Sequence, residues 1–333
     1  MSLKIYDKVP ETFLEIDILD LHKKFPGPFL MHLRGEKSEP LFLSVLLHGN
    51  ETTGLLALKK VLSRYSDKAL PRDMIILVGN TKAAAYGLRH LEGQPDYNRI
   101  WAGGESEEAR LISEVLDYVK KFKLFANIDV HNNTGKNPYY GCVNVFKEEY
   151  LDLAKRFSEK TVYFTEPSEV ESMAFAPLCP SVTIEAGLPG KEDGVAKTAQ
   201  YIEEVLSLEG LNHEFDIRNT EVFQTVARIK IHKDASIDFA NEMESQSDFS
   251  LLKELDLKNF ERIQEGTLLG FYKVRDYIKV VDNEGVDVTT NFLELKEGKI
   301  FTKKDFVPAM FTQDVYVIKE DCLGYVMENF SLT

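Results

Sequence analysis

The sequence has few cysteines and no long apolar run, and each absence excludes a class of protein. Its 333 residues include three cysteines, Cys142, Cys179 and Cys322, without CxxC spacing. An odd and sparse set of this kind predicts neither a disulfide framework nor a thiolate zinc site. No apolar run approaches the roughly 20 residues of a membrane helix, and the N-terminal segment lacks signal-peptide features. We therefore expect a cytoplasmic protein with no membrane partner.

Basic residues are in the minority as well. The chain has 40 Lys and Arg residues against 54 Asp and Glu residues, which gives a formal net charge of −14. Because nucleic-acid affinity is built from clustered Lys and Arg, this balance argues against a nucleic-acid partner. The sequence also contains no glycine-rich phosphate loop and no internal repeat. The acidity itself identifies no substrate, since net charge bears on solubility and steering.

The length and the texture of the chain predict two domains. A chain of 333 residues exceeds the size at which a single hydrophobic core keeps growing. Residues 41–208 alternate strand and helix signals, which is typical of an α/β domain. From about Leu211 the chain changes to alternating β-branched and aromatic runs that glycine turns separate. We predict an α/β domain at 1–210 and a smaller β-rich domain at 211–333.

The pattern of apolar residues places individual elements. Helical spacing of Leu55, Leu58 and Leu62 predicts a helix after Glu51, and Ser106 has the chemistry of an N-cap for a second helix. A third helix is predicted at 195–208. Short apolar runs predict strands at 41–47, 74–79, 124–130, 161–164 and 181–184.

Two of these strand candidates are followed by side chains of the types that bind zinc. His48 and Glu51 follow the run 41–47 and are three residues apart, and His131 follows the run 124–130. In open α/β sheets the ligand crevice lies beyond the carboxyl ends of the strands, so residues at two strand ends can meet. Two imidazoles and one carboxylate satisfy the ligand rule of catalytic zinc. For the His–Glu pair alone, the alternative is a surface pair on a loop.

Two further carboxylates suit such a site. Glu185 follows the run 181–184 and precedes the small residues Ala186 and Gly187, so it is either a helix cap or a general base. Asp129 lies two residues before His131, and on an extended strand both side chains project to the same side. Asp129 could then fix the tautomer of a ligand histidine, with bonding to loop backbone as the alternative.

Together these motifs resemble the succinylglutamate desuccinylase and aspartoacylase family, a branch of the zinc carboxypeptidase-like hydrolases. The resemblance covers 41 to about 190 and continues more faintly beyond. It implies that 1–210 form a catalytic domain in which helices cover both faces of a mixed sheet. It implies one Zn²⁺ per chain held by His48, Glu51 and His131, with Glu185 as general base and later proton donor. The motifs that carry it, in order, are His48-x-x-Glu51, Tyr97-Asn98-Arg99, Asp129-Val130-His131-Asn132 and Thr183-Ile184-Glu185-Ala186-Gly187.

The same resemblance assigns residues that would contact the substrate. Arg89 matches the residue that polarises the scissile carbonyl, and Asn98 with Arg99 match the pair that grips a substrate carboxylate. A guanidinium suits both tasks because it binds carboxylates through two N–H groups and stabilises oxyanion charge. For each arginine the alternative is pairing with a surface acid. The family's tyrosine from the C-terminal domain has no clear counterpart. Tyr277 is a candidate by its position in a strand-rich stretch, but a packed strand tyrosine is the favoured interpretation.

The sequence departs from the family at one position. Family members that act on dicarboxylic substrates use a further arginine about ten residues before the catalytic glutamate, but 161–190 contains no Lys or Arg. N-acetylaspartate is therefore a poor candidate substrate. The segment offers Glu171 and Phe175 among residues that would suit a neutral, apolar or cationic group, unless it is an ordinary connecting loop.

The sequence thus predicts a zinc-dependent amidohydrolase that removes an acyl group from an N-acyl amino acid or a related small amide. The resemblance also implies that the β-rich domain narrows the entrance to the site, which would favour such small substrates over long peptides. A metallocarboxypeptidase for short peptides would share the same catalytic residues, and a non-catalytic ligand-binding protein on the same scaffold is a third interpretation. A homo-oligomer stays open.

Overall fold

The computed structural model describes residues 3–211, 221–242 and 246–330. They form two compact units. The first contains the described residues up to Asn132 and those of Tyr139–Glu221, and the second contains Asn133–Pro138 and those from Val222 onward. Residues 212–220, where the predicted second domain begins, lie outside the described residues. None of the described helices has the length and apolar character to cross a membrane.

A mixed sheet forms the centre of the first unit, in the strand order β1-β2-β4-β3-β5-β8-β6-β7. The neighbours β4, β3, β5 and β8 run parallel, whereas β2 and β6 pair antiparallel with β4 and β8. The carboxyl ends of β3, β5 and β8 therefore meet at one edge of the sheet. The strands are β1 (Lys4–Tyr6), β2 (Phe29–Leu33), β3 (Gly35–Val45), β4 (Leu70–Val78), β5 (Ala126–His131), β6 (Tyr140–Val143), β7 (Thr161–Tyr163) and β8 (Ser181–Glu185).

Seven described helices accompany this sheet, and two of the longest, α2 and α7, pack against each other. They are α1 (Leu21–Lys24), α2 (Thr53–Arg64), α3 (Thr81–Ala84), α4 (Glu107–Val119), α5 (Glu148–Phe157), α6 (Glu171–Phe175) and α7 (Glu192–Ser207). The sequence predicts α2, α4 and α7 but gives no expectation for α5 or α6. Apolar side chains of the sheet pack against those of α4 and α6 in one buried cluster. It includes Phe42, Ile75, Trp101 and Phe175.

Helix α4 confirms the N-cap prediction. The Ser106 hydroxyl accepts a hydrogen bond from the backbone N–H of Ala109 at 3.0 Å. Glu107 and Glu108 occupy the first turn, where the positive end of the helix dipole favours acidic side chains. The cap satisfies one of the N–H groups that a helix start leaves without a partner.

Replacing Ser106 with alanine should lower the free energy of unfolding by about 1 kcal/mol, because the Ala109 N–H loses its acceptor. Chemical denaturation of both proteins measures the difference. Ser113→Ala makes the same chemical change on the exposed face of the same helix. It should be neutral or slightly stabilising because alanine has the higher helix propensity. Equal losses in the two variants would show that the cap contributes nothing specific.

The second unit is rich in strands, as the sequence predicts. Five strands form a sheet in the order β10-β11-β12-β15-β14, while β9 pairs with β13 and β17, and β17 with β16. The strands are β9 (Val222–Ile231), β10 (Ile237–Phe239), β11 (Phe249–Leu251), β12 (Leu268–Tyr272), β13 (Ile278–Asp282), β14 (Leu293–Lys296), β15 (Lys299–Thr302), β16 (Val307–Ala309) and β17 (Gly324–Asn329), with short helices α8 (Thr289–Phe292) and α9 (Val315–Glu320).

One feature of this unit bears on the tyrosine that the sequence left open. A 3-10 turn at Arg275–Tyr277 separates β12 from β13. The Tyr277 ring stacks on His232, with 5.0 Å between the ring centroids.

The fold-class prediction is confirmed: a mixed α/β region carries a large mixed sheet, and a second β sheet lies in the C-terminal region.

Candidate metal and active site

The loop after β3 carries the first two predicted ligands. The strand ends at Val45, two residues earlier than predicted, and Leu46 turns the chain with a φ of 61°. A backbone hydrogen bond from Glu51 N–H to His48 C=O at 3.1 Å then brings both side chains to one side of the loop. Gly49 permits this path, since a Cβ there would lie 2.3 Å from the backbone nitrogen of Ala84.

The third predicted ligand, His131, is the last residue of β5, and the structure brings it to the same place. The Glu51 carboxylate lies between the two imidazoles, with Oε1 2.8 Å from His48 Nδ1 and Oε2 2.9 Å from His131 Nδ1. One ligand atom from each residue lies within 4.8 Å of the others, and all three side chains are buried. The Nδ1 atoms of both imidazoles therefore face a common point beside a carboxylate.

The opposite ring nitrogens each contact a second carboxylate. His131 Nε2 lies 2.8 Å from Oδ2 of Asp129. The other oxygen of this carboxylate, Oδ1, accepts a hydrogen bond from Ser44 Oγ at 2.7 Å. His48 Nε2 lies 3.0 Å from Oδ1 of Asp96. A carboxylate behind each ring would keep the proton on Nε2 and leave Nδ1 free to bind a metal.

The sequence interpretation missed Asp96. The residue precedes the Tyr97-Asn98-Arg99 motif, so its position was the signal that could have found it. Its Oδ1 also accepts a hydrogen bond from the Asn98 backbone N–H at 2.7 Å, and its Oδ2 meets Arg89. Asp96 thus connects one predicted ligand with the predicted substrate-contacting residues.

Glu185 is the last residue of β8 and lies beside His131 in the parallel register of β5 and β8. Its side chain is buried, and its Oε2 atom has no hydrogen-bond partner among the described residues. Burial raises the pKa of Glu185 to about 8, although His131 opposes that effect. A buried carboxyl with one oxygen left open, next to a candidate ligand, has the position of a proton acceptor for water.

Charge explains the ionisation of the other groups in the cluster. Burial opposes the charge on Glu51, but His48 and His131 outweigh it and hold the pKa of Glu51 below its usual value. Burial likewise opposes the charge on His131, whereas Asp129 and Glu51 raise its pKa well above the usual value. The cluster therefore concentrates negative charge around imidazoles, which is an environment that a divalent cation would neutralise.

Arg89 lies in the loop between α3 and α4 and reaches the same cluster. Its Nε and Nη2 atoms form a fork on Asp96, at 2.9 and 2.8 Å from Oδ2. Its Nη1 atom lies 3.8 Å from Glu51 Oε1. The guanidinium is thus oriented by one acid and placed beside the candidate metal ligands, as a group that contacts an oxyanion there would need to be.

Asn98 and Arg99, the predicted pair for a substrate carboxylate, differ in their contacts, and the Asn98 side chain is directed into the protein. The Asn98 amide oxygen accepts a hydrogen bond from the Glu171 backbone N–H at 2.8 Å, and its amide nitrogen lies 3.3 Å from His131 Nε2. Arg99 donates from Nη1 to the Asn98 carbonyl at 2.9 Å. Asn98 therefore lies against the His131 ring in this conformation and is held by the Glu171 backbone, while its neighbour Arg99 is only partly buried.

Glu171 and Phe175 are not positioned to meet a substrate. Both belong to α6 and are fully buried. The Glu171 carboxylate accepts a hydrogen bond from Asn127 Nδ2 at 3.0 Å, and Phe175 packs on Phe42 and Trp101. The sequence predicted that this segment either lines the pocket or is a connecting loop. The structure shows a short helix in the core instead. Glu171 and Phe175 are buried because α6 packs against β5 and β8.

The donor set fits zinc. Two imidazole nitrogens and a carboxylate face one point, each ring is backed by a further carboxylate, and a buried glutamate with an open oxygen lies beside them. Three protein ligands with a fourth position left for water or substrate are the arrangement of catalytic rather than structural zinc. The arrangement could therefore hold Zn²⁺ through His48, Glu51 and His131.

Comparisons with known proteins point to the same region of the chain. The model of the succinylglutamate desuccinylase/aspartoacylase catalytic domain matches residues 38–208. No curated protein matches the chain.

Several solved structures share the fold at low identity. A succinylglutamate desuccinylase from Chromobacterium violaceum is 17% identical with a TM-score of 0.59, over 90% of this chain and 86% of that one. Murine aminoacylase 3 is 14% identical with a TM-score of 0.54, over 89% and 96%. The product-bound ectoine utilization protein EutE (DoeB) from Ruegeria pomeroyi is 12% identical with a TM-score of 0.53, over 91% and 84%.

Proposed function

This chain belongs to the succinylglutamate desuccinylase/aspartoacylase family, and from that premise we propose that it is a zinc-dependent amidohydrolase that deacylates a small N-acyl amino acid or related amide. The observation that carries the proposal is the cluster of His48, Glu51 and His131 beside the open oxygen of Glu185. A protein that only binds a ligand needs no general base, so this combination favours an enzyme over a binding protein.

Zinc would supply electrophilic activation here, since the bound ion lowers the pKa of water to about 7 and polarises a carbonyl oxygen. His48, Glu51 and His131 would hold it. Asp96 and Asp129 would keep the two imidazoles in the required tautomer, because each carboxylate contacts an Nε2 atom and would leave Nδ1 unprotonated as a ligand.

The remaining residues take complementary roles in amide hydrolysis. Glu185 would accept a proton from the attacking water and return it to the amide nitrogen that leaves. Arg89, held by Asp96, would stabilise the negative charge that forms on the carbonyl oxygen. Arg99 with Asn98 would bind the substrate carboxylate, for which Asn98 would have to turn from its contact with the Glu171 backbone.

A substrate panel with the zinc-loaded protein tests the proposal. We expect release of the amino acid from N-acyl amino acids. The kcat/KM for dipeptides should be at least about tenfold lower, which corresponds to a barrier higher by about 1.4 kcal/mol. Neutral and dicarboxylic acyl groups belong in the same panel, since the missing arginine argues against N-acetylaspartate. Hydrolysis of dipeptides alone would favour a carboxypeptidase. Stoichiometric zinc without hydrolysis of any amide would favour the non-catalytic interpretation.

Asp96→Asn should weaken zinc binding by about 10–100-fold, because a neutral amide orients the His48 ring through Nε2 less strongly than a carboxylate and loses the ion pair with Arg89. Competition with a chromophoric chelator measures the zinc dissociation constant. Glu92→Gln removes one negative charge from the same loop at an exposed position and should leave the constant unchanged. An Asp96→Asn protein that binds zinc as tightly as the wild type would show that Asp96 does not support the ligand.

The division of the chain near residue 210 and the role of the β-rich domain at the entrance stay predictions. So do the cytoplasmic location and any homo-oligomer.

A further inference from the structure

Asn132 follows His131 and is buried, with 4% of its surface exposed. Its side-chain amide oxygen accepts a hydrogen bond from the Thr53 backbone N–H at 3.2 Å. Its amide nitrogen donates to the Gly187 carbonyl at 2.8 Å and to Thr53 Oγ1 at 2.9 Å. The orientation of the amide is determined, because a backbone N–H only donates and a carbonyl only accepts.

One partner of Asn132 belongs to the segment that carries a metal ligand. Thr53 is the first residue of α2, two residues after Glu51, and is fully buried. Its N–H is among the helix-start groups that have no partner within the helix, so Asn132 supplies the cap from the position directly after β5. The Asn132 backbone N–H also donates to Glu51 Oε2 at 3.0 Å.

The other partner belongs to the segment that carries the general base. Gly187 lies two residues after Glu185, in a turn where its φ of 71° favours glycine. The Thr53 hydroxyl accepts a second hydrogen bond from Gly190 N–H at 3.0 Å, so the same turn is held at both ends. Asn132 and Thr53 together therefore connect the turn after Glu185 to the start of α2.

We propose that Asn132 is a positioning residue that holds the segment of Glu185 and the segment of Glu51 at the separation that hydrolysis requires. The inference rests on the proposed deacylase function. The physical reason is that the general base ends strand β8 whereas the metal ligand Glu51 lies in the loop after β3, so strand pairing alone does not fix the distance between them. A misplacement of about 1 Å in such a site can lower the rate by about 100-fold.

Kinetics of Asn132→Ala, Thr53→Val and the double variant test this role. Each single variant should lower kcat by about 10–100-fold with KM changed less than about threefold, because substrate contacts are kept. The double variant should be little worse than the poorer single variant, since both changes break one connection. Thr53→Ser keeps the hydroxyl and should recover most of the lost kcat.

A matched control separates positioning from loss of stability. Thr198→Val makes the same substitution at a buried threonine of α7, whose hydroxyl has no hydrogen-bond partner among the described residues. It should leave kcat and KM unchanged. Hydrogen–deuterium exchange of the zinc-loaded proteins should become faster at 187–191 in Asn132→Ala and Thr53→Val, and stay as in the wild type in Thr198→Val.

The outcomes distinguish this inference from the function on which it rests. If the wild type is active, additive losses of kcat in the double variant, or a wild-type kcat in Asn132→Ala, overturn the positioning role alone. If the wild type hydrolyses nothing in the panel, the proposed function fails, and unchanged exchange at 187–191 would then also overturn the connection. Should Asn132→Ala fail to fold, Asn132→Ser and Thr53→Val carry the same comparison.

Discussion

Replacing Glu185 with glutamine is expected to lower kcat by about 10²–10⁴-fold while the protein still binds zinc. The amide has nearly the shape of the carboxyl group but cannot accept a proton from water. Glu185 is not among the three residues that converge on the candidate metal position, so its loss should remove the base and keep the ligands. Steady-state kinetics and zinc content of the purified variant measure the two quantities.

Glu185→Asp gives the matched comparison. The shorter side chain keeps a carboxylate but withdraws it from its position beside His131, so we expect activity between that of the wild type and Glu185→Gln. A Glu185→Gln protein with near-wild-type turnover would remove Glu185 from the mechanism. Loss of zinc from it would instead assign Glu185 to metal binding.

His131→Ala should abolish measurable turnover and weaken zinc binding by about 100-fold or more. Zinc sites with four ligands bind with about 10–16 kcal/mol, so one ligand accounts for roughly 3 kcal/mol or about two orders of magnitude. The substitution also leaves Glu51 with one imidazole partner instead of two. Zinc content after dialysis and competition with a chelator measure the loss.

His90→Ala is the control for this variant, because His90 lies beside Arg89 in sequence but its Nδ1 atom lies 3.1 Å from the local Leu91 carbonyl, and His90 is not a member of the cluster of candidate ligands. It should keep zinc and activity. In the wild type, 1,10-phenanthroline should remove activity and added Zn²⁺ should restore it, whereas the non-chelating 1,7 isomer should have no effect. Full activity of His131→Ala would contradict the metal site as a whole.

Local patterns in the sequence were sufficient for much of the fold. The runs before His48, His131 and Glu185 are strands that end within two residues of the predicted positions, and Ser106 caps its helix as predicted. These predictions succeed because strand and helix signals depend on side chains a few residues apart. Helix α6 was missed because the burial of Glu171 depends on distant neighbours such as Asn127. Helix α5 does carry buried residues at helical spacing, Tyr150, Ala154 and Phe157, which the sequence interpretation did not use.

The sequence by itself determined which ligand types follow which strands, and hence the candidate set of His48, Glu51, His131 and Glu185. Only the tertiary structure decided which atoms meet, because the order of β3, β5 and β8 places residues together that are 81 positions apart, such as Glu51 and Asn132. The contacts of Asp96 with His48 and of Asn132 with Gly187 likewise depend on the loops that follow β3 and β8. No spacing along the chain encodes such contacts, since they follow from the register of strands and the path of loops between them.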